Sequence, residues 1–489
     1  MSTEQLRIRK TRNLNFWIWP SAIFLVSTFA LWLTERIFRA HAVPALLDGG
    51  YRFQSWSSDT LMQTMGLNDM VAFGSVKALW LEHIYTPGFD AIRLLLALPE
   101  TLRTGVPDPV SVDYRIYMLY CIVYGSINAL VFVWVRDLTR STVWAFIGML
   151  IWALYPGNLM VMMLLDGTAI SLLAIAFSFY FLYRFLKVKN PWYITGFAGF
   201  FLIGSLTRSF IQIHVLIILV IAMIAFGFMA KWKNRPVQIL NLVLAALVFF
   251  LPIKQFVMYD TLAVSTFTGY HRAGMLWIDP RSVPDIPYSQ KALDNAAAFV
   301  SRENTVFALK DNLRLEAAAN TYLRTHPVDS AKALWRSLQV TIPEAFRPTS
   351  DYVWSSVVEW TPWKTQFNWL FSSWRYLCIL FATLAVTIWS RTWKGFWVLL
   401  KRYAWFGVFY LLVAFPVIFS NRFRAGQEDL GASWTDAMRL KIFIEVPVYV
   451  LVAYALWILL SRQGRNLHQK FKTRDPLSSE KALIQATDQ

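Results

Sequence analysis

Three clusters of ionisable residues in otherwise apolar surroundings are where this sequence can do chemistry. The first is Asp59 in SWSSDTLMQ, which follows a serine pair just ahead of an amphipathic segment. A carboxylate there can take a proton from an acceptor hydroxyl or amine as a general base. Ser and Asp also suit a solvated helix N-cap, and spacing alone leaves both readings open. The second cluster is Glu82 and His83 in LEHIYTPGFDAIRLLLALP, with Asp90 and Arg93 following. A Glu-His pair can bind a metal or orient a base, although adjacent residues on a helix do not face one another. No HExxH or comparable ligand spacing occurs, so no cofactor is specified, and a divalent metal stays an open alternative.

The third cluster is Asp166, where LYPGNLMVMMLLDGT leaves an apolar run, with Arg208 in SLTRSF at the mouth of the next pair of runs. Charges at such depths are expensive and are usually functional or paired. Asp166, like His83, is a candidate acceptor or metal site. Arg208 suits a lipid phosphate, which a guanidinium grips with two parallel charged hydrogen bonds; snorkelling to headgroups is the alternative. Lys254, His271, Arg272, Arg422, Arg424 and Arg439 are further basic residues on the same side of the expected topology. Cations kept there against the topology bias call for an anionic partner, most simply a phosphate-linked lipid, although each singly also suits an ordinary loop.

The elements that must position these residues are membrane helices. The 489 residues are 56% hydrophobic and only 16% charged, against roughly a quarter charged in a soluble domain. That deficit excludes a soluble fold, which needs charge to cover its surface. The net charge of +17 would suggest nucleic acid. The basic residues, however, sit in short clusters between apolar runs and show no aromatic-basic surface, so membrane lipids are the partner and nucleic acid is not. Cys121 and Cys378 lie in apolar runs without metal or redox spacing and read as buried hydrophobes.

Runs long enough to span a bilayer occur near 15–34, 115–135, 142–163, 167–186, 191–207, 209–230, 237–258, 374–390, 404–420 and 441–461, about ten crossings in all. The pair around Arg208 is separated only by a tight turn and suits a broken or re-entrant element. RIRKTR precedes the first run, which lacks a small-residue cleavage site and reads as a retained anchor. The positive-inside rule then places both termini in the cytoplasm. The expected fold is an all-α polytopic protein of the cytoplasmic (inner) membrane, with long extracytoplasmic loops carrying short helices. It divides into an N-terminal transmembrane module, 1–258, with a first outer loop 35–114; an outer region, 259–373; C-terminal helices, 374–461; and a cytoplasmic tail, 462–489. Within the loops, LMQTMGLNDMVAFGSVKALW and GFDAIRLLLALPETL have helical apolar spacing suited to the membrane surface. ALKDNLRLEAAANTYLRTHPVDSAKALWRSLQV predicts two soluble helices that turn at His326-Pro327.

In order and topology this arrangement resembles the GT-C superfamily of polyprenyl-phosphate-sugar-dependent glycosyltransferases, particularly protein O-mannosyltransferases and bacterial lipid A aminoarabinose transferases. The likeness spans most of the chain. It rests on the first-loop acidic residue Asp59, the H-x-x-P-like HIYTPGFDAIRLLLALP, the central ALYPGNLMVMMLLDGTAISLLAIAFSFYFLYRFL, and the ending DAMRLKIFIEVPVYVLVAYAL. It implies an inverting transfer in which Asp59 activates the acceptor while Arg208, Arg439 and Arg272 hold the donor's lipid-linked phosphate. Relatives carry two adjacent acidic residues in that loop, whereas Asp59 is followed by Thr60, so Asp48 and Glu82 stand as alternative bases. The implied partners are a polyprenyl-phosphate sugar donor and an extracytoplasmic glycan, lipid or protein acceptor. A transporter or lipid flippase would expect inverted repeats and charges deep in several helices, and neither is evident. A non-catalytic scaffold for envelope polysaccharide assembly is the third class.

Overall fold

The computed structural model describes residues 17–34, 36, 57–59, 64–209, 213–230, 234–346, 393–418, 421–422, 434–435 and 442–460. Asp48, Arg439, Cys378, the 374–390 run and the 462–489 tail lie outside the described residues. The fold is helical, with one small antiparallel pairing of β1 (Asn421–Arg422) with β2 (Trp434–Thr435).

Four described helical stretches are long and apolar enough to cross a bilayer: α1 (Trp17–Thr34), α5 (Pro109–Thr139), α8 (Thr168–Val188), and the consecutive α11 (Arg235–Leu247) and α12 (Phe250–Tyr259). A bent pair, α6 (Thr142–Ala153) and α7 (Pro156–Met163), makes a fifth if it is one span. Shorter apolar helices cover Val215–Met229, Tyr403–Pro416 and Ile442–Trp457, within α10 (Ile213–Met229), α17 (Trp393–Ile418) and α18 (Ile442–Leu460). The predicted single span 142–163 is thus bent, by 60°. Pro156 opens α7, and a residue before proline is pushed out of the α region; Tyr155 is accordingly extended, with ψ 117°. Helix also stops at Thr207, with Arg208 extended, and resumes at Ile213, so the chain leaves helix at Arg208 as well as at Tyr155.

Burial separates central from peripheral helices. The most apolar stretches of α5 and α8 are 72% buried, that of α11–α12 39%, and that of α1 17%. α8 packs along α9 (Pro191–Thr207), and α5 packs against α6, α8 and α18. Leu25 and Val26 on α1, Phe228 on α10 and Ile253 on α12 are more than half exposed, an apolar exterior suited to lipid. Three hydrogen bonds tie neighbouring helices together: Tyr117 OH donates to Leu31 O at 2.6 Å, Tyr449 OH to Gly148 O at 2.6 Å, and Thr195 Oγ1 to Asn241 Oδ1 at 2.6 Å. α5 begins with Asp108 accepting from the amides of Val110 and Ser111 and with Pro109 at its first position, a strong start signal. Its 31 residues run about 46 Å, beyond the hydrocarbon thickness, so one end projects past it.

The connections carry their own helices. The helical apolar spacing over 61–80 is realised as two helices, α2 (Leu67–Phe73) and α3 (Ser75–Leu81), separated at Gly74, whose φ is 102°. α4 (Gly88–Thr104) follows. The second region holds α13 (Thr268–Met275), α14 (Gln290–Ala298), α15 (Val306–Thr325) and α16 (Pro327–Phe346). The break between α15 and α16 falls at His326, as Pro327 predicts. α13 crosses α15 at Gly269, where a Cβ would lie 1.9 Å from Asn312 O, so only glycine permits that approach.

Candidate functional site

The serine pair ahead of Asp59 is clamped by α5. Ser57 Oγ donates to Asp113 Oδ2 at 2.6 Å, while Ser58 N and Oγ donate to Asp113 Oδ1 at 3.0 and 2.5 Å. This fixes the chain entering Asp59, whose carboxylate then has three partners. Asp59 Oδ1 accepts from Leu67 N at 2.8 Å and from Arg93 Nη2 at 2.7 Å; Oδ2 accepts from Arg302 Nη2 at 3.2 Å. The sequence left two readings open, and the carboxylate's position accommodates both. It serves the first amide of α2 from eight residues away, and its side chain is 20% exposed at the rim of a charged network.

Arg93 is the hub of that network. Asp90 and Arg93 stand one turn apart on α4, so they share a face. Arg93 is fully buried, and its guanidinium reaches Asp90 Oδ1 at 2.5 Å, Asp59 Oδ1, Met65 O at 2.7 Å and Ser58 Oγ at 3.3 Å. A buried guanidinium is tolerable only with such complete pairing. The sequence placed Arg93 beside the Glu-His cluster without a role. It gave no hint of Arg302, which arrives from the second outer region with Ser301 and Asn304: Gly66 N donates to Ser301 Oγ at 2.8 Å, Ser301 Oγ to Asp69 Oδ2 at 2.6 Å, and His83 N to Asn304 Oδ1 at 3.0 Å.

Glu82 and His83 sit deeper. Tyr259 OH donates to Leu81 O at 2.6 Å, Lys254 Nζ donates to Glu82 O, and Gln255 Nε2 donates to His83 O at 3.2 Å, bolting this strand of chain to α12. His83 Nδ1 meets Thr266 Oγ1 at 3.0 Å. Both side chains are sealed from solvent, and among the described residues neither Glu82 carboxylate oxygen has a hydrogen-bond partner. Among the described residues no group of three His, Cys, Asp or Glu side chains stands close enough to hold a metal.

Burial, reinforced by the nearby Asp90 charge, pushes the Glu82 carboxyl well above its ordinary 4.5 despite Lys254 and Arg93. Burial and Lys254 push His83 from 6.5 down to about 3. Stability should therefore fall on both sides. As pH drops below 6.5 towards about 3, unfolded His83 takes a proton that the buried ring refuses. As pH rises above 4.5 towards Glu82's raised value, the unfolded carboxyl releases a proton that the buried one keeps. Glu82→Gln is expected to remove the alkaline-side loss and keep the acid-side one. Melting curves between about pH 4 and 8 check this, and a profile parallel to wild type would show that Glu82 is ionised when buried.

Asp166 and Arg208 form a second charged centre. Asp166 Oδ1 caps α8 by accepting from Thr168 N at 2.9 Å, and Oδ2 accepts from Arg208 Nη2 at 2.5 Å. Arg208 also donates to Thr168 Oγ1, and Tyr120 OH to Asp166 O. Two glycines join this centre to the first. A Cβ on Gly88, which opens α4, would lie 2.4 Å from Leu206 O; one on Gly167 would lie 2.5 Å from Thr207 O and 3.5 Å from Phe89 Cβ. The helix carrying Asp90 and Arg93 is thereby seated on the end of α9 that presents Arg208. Gly167→Ala should cost about 1–3 kcal/mol and separate the two centres; a thermal midpoint unchanged from wild type would contradict the close packing. Arg272 is engaged with other partners, donating to Glu316 Oε1 at 2.9 Å and Asn320 Oδ1 at 3.2 Å.

No protein-family model matches the chain, and no curated protein matches it significantly.

Proposed function

We propose that this chain is a GT-C-type membrane glycosyltransferase of about ten crossings, with both termini cytoplasmic. It moves a sugar from a polyprenyl-phosphate donor to a glycan, lipid or protein acceptor on the outer face of the cytoplasmic membrane. The observation that carries the reading is that α4, whose Arg93 holds the rim-exposed Asp59 carboxylate, is seated through the close approaches at Gly88 and Gly167 on the helix end that presents Arg208. The resemblance in motif order adds to it.

In this mechanism the acceptor oxygen or nitrogen attacks the anomeric carbon as the bond from that carbon to the phosphate oxygen breaks. Asp59 takes the acceptor's proton. Arg208 stabilises the departing polyprenyl phosphate. Arg302 holds Asp59 Oδ2 and is 28% exposed, so an incoming acceptor displaces this partner at least cost while buried Arg93 keeps the carboxylate aimed. Glu82 is a poor base for any substrate, because no solvent reaches it.

The test is incubation of the purified protein with a panel of polyprenyl-phosphate sugars and an acceptor-rich membrane extract, following release of polyprenyl phosphate. Release supports the reading. Absence of release from every donor would favour a transporter or a scaffold.

A further inference from the structure

Where α12 ends at Tyr259, the chain opens into a cavity of about 470 Å³, within the range of small-ligand sites of roughly 300–1,000 Å³. It lies apart from both charged centres. One part of its lining is a fixed polar chain: Glu316 accepts from Arg272 through Oε1 at 2.9 Å and from Thr261 Oγ1 through Oε2 at 2.7 Å, and Asn320 Oδ1 accepts from Arg272 at 3.2 Å. Among the described residues nothing engages Asn320 Nδ2, which leaves two donors beside this chain. The rest of the lining is largely apolar and includes Pro287, Leu313, Ala317 and the ring of Tyr288. The single Tyr288 OH proton is shared between Asp285 Oδ1 and Lys310 O, both at 3.3 Å, and Lys310 Nζ lies over one face of the ring, 5.6 Å from its centroid, which leaves the other face for a ligand.

We infer that this cavity binds an uncharged sugar unit of a glycan acceptor, an inference that rests on the transferase reading. The ligand class follows from the lining. Arg272 and Glu316 neutralise one another and Asp260 leaves the lining one negative charge, so no cation in the lining is free to receive a phosphate or uronate. A sugar ring matches both halves of the site, with C–H faces for the Tyr288 ring and proline and vicinal hydroxyls for the Glu316–Arg272–Asn320 chain. The cavity begins one residue beyond a stretch long enough to span, so a bound glycan would sit at the end of that stretch.

Full-length protein in detergent is titrated with maltotriose, chitotriose, a galacturonate trisaccharide and inorganic phosphate, with binding read by saturation-transfer NMR. A neutral trisaccharide is expected to bind, unaffected by phosphate. Ala317→Trp, which fills the cavity from a partly exposed position, should weaken it at least about tenfold, and Asn320→Ala about three- to tenfold. No neutral binding, preference for galacturonate or phosphate, or unchanged binding by both variants with native helix content overturns the proposal. Polyprenyl-phosphate release is measured alongside. Release without sugar binding sinks the cavity and leaves the transferase; cavity-dependent binding without release from any donor does the reverse.

Discussion

Asp59→Asn is expected to lower sugar transfer at least about 10²-fold, the lower bound for loss of a general base. The substitution removes a proton acceptor but little volume, and its amide oxygen can still accept from Leu67 N and Arg93 Nη2. Asp90 continues to neutralise Arg93. Donor affinity and melting temperature should therefore stay near wild type while kcat collapses, which separates a missing base from a damaged fold. A variant that transfers at the wild-type rate would remove Asp59 from the reaction. It would pass the role to Asp48, since Glu82 is sealed.

The second large effect concerns Arg208, and the obvious variant misleads. Arg208→Ala leaves Asp166, only 5% exposed at its side chain, without its cation, and breaking such a pair costs about 3–5 kcal/mol. Loss of donor binding would then be inseparable from loss of structure. Arg208→Lys keeps the charge beside Asp166 but gives up the planar, two-pronged grip on a phosphate. It is expected to weaken donor binding about tenfold or more, the scale of one charge-assisted hydrogen bond, with the melting temperature held within a few degrees. Unchanged donor affinity in a folded Arg208→Lys protein would return Arg208 to a purely structural pairing with Asp166 and Thr168.

What could be read from the sequence was what local chemistry writes into it. His326-Pro327 announced the break between α15 and α16 because proline cannot continue a helix. The Ser-Ser-Asp run announced a cap or a base, and the apolar spacing of GFDAIRLLLALPETL announced α4. Apolar content announced α5 and α8. The bend at Tyr155-Pro156 was missed because hydrophobicity runs straight through it, and the lipid-like content of a segment says nothing of its direction. Arg302 was missed for a different reason. It meets Asp59 across 243 residues of chain, and nothing in either neighbourhood encodes the other. Gly88 and Gly167 were likewise mute, since a glycine needed for close approach looks like any other until the opposing carbonyl is seen.

α4 buries charge beside its apolar residues and leaves leucines outside. It turns Phe89, Asp90, Arg93, Leu94 and Ala97 inward, whereas Leu95, Leu98 and Leu102 are 68%, 48% and 78% exposed. Among the described residues nothing covers those leucines. In a bilayer the lateral pressure of the acyl chains would hold them down, making the surrounding lipid the outer jaw of a vice whose inner jaw is the Arg93 guanidinium. Thinning the lipid, or replacing it with a small micelle, would slacken that vice and wet the salt links behind it, so the tightness of the Asp59 carboxylate's seat becomes a property of the membrane as much as of the chain.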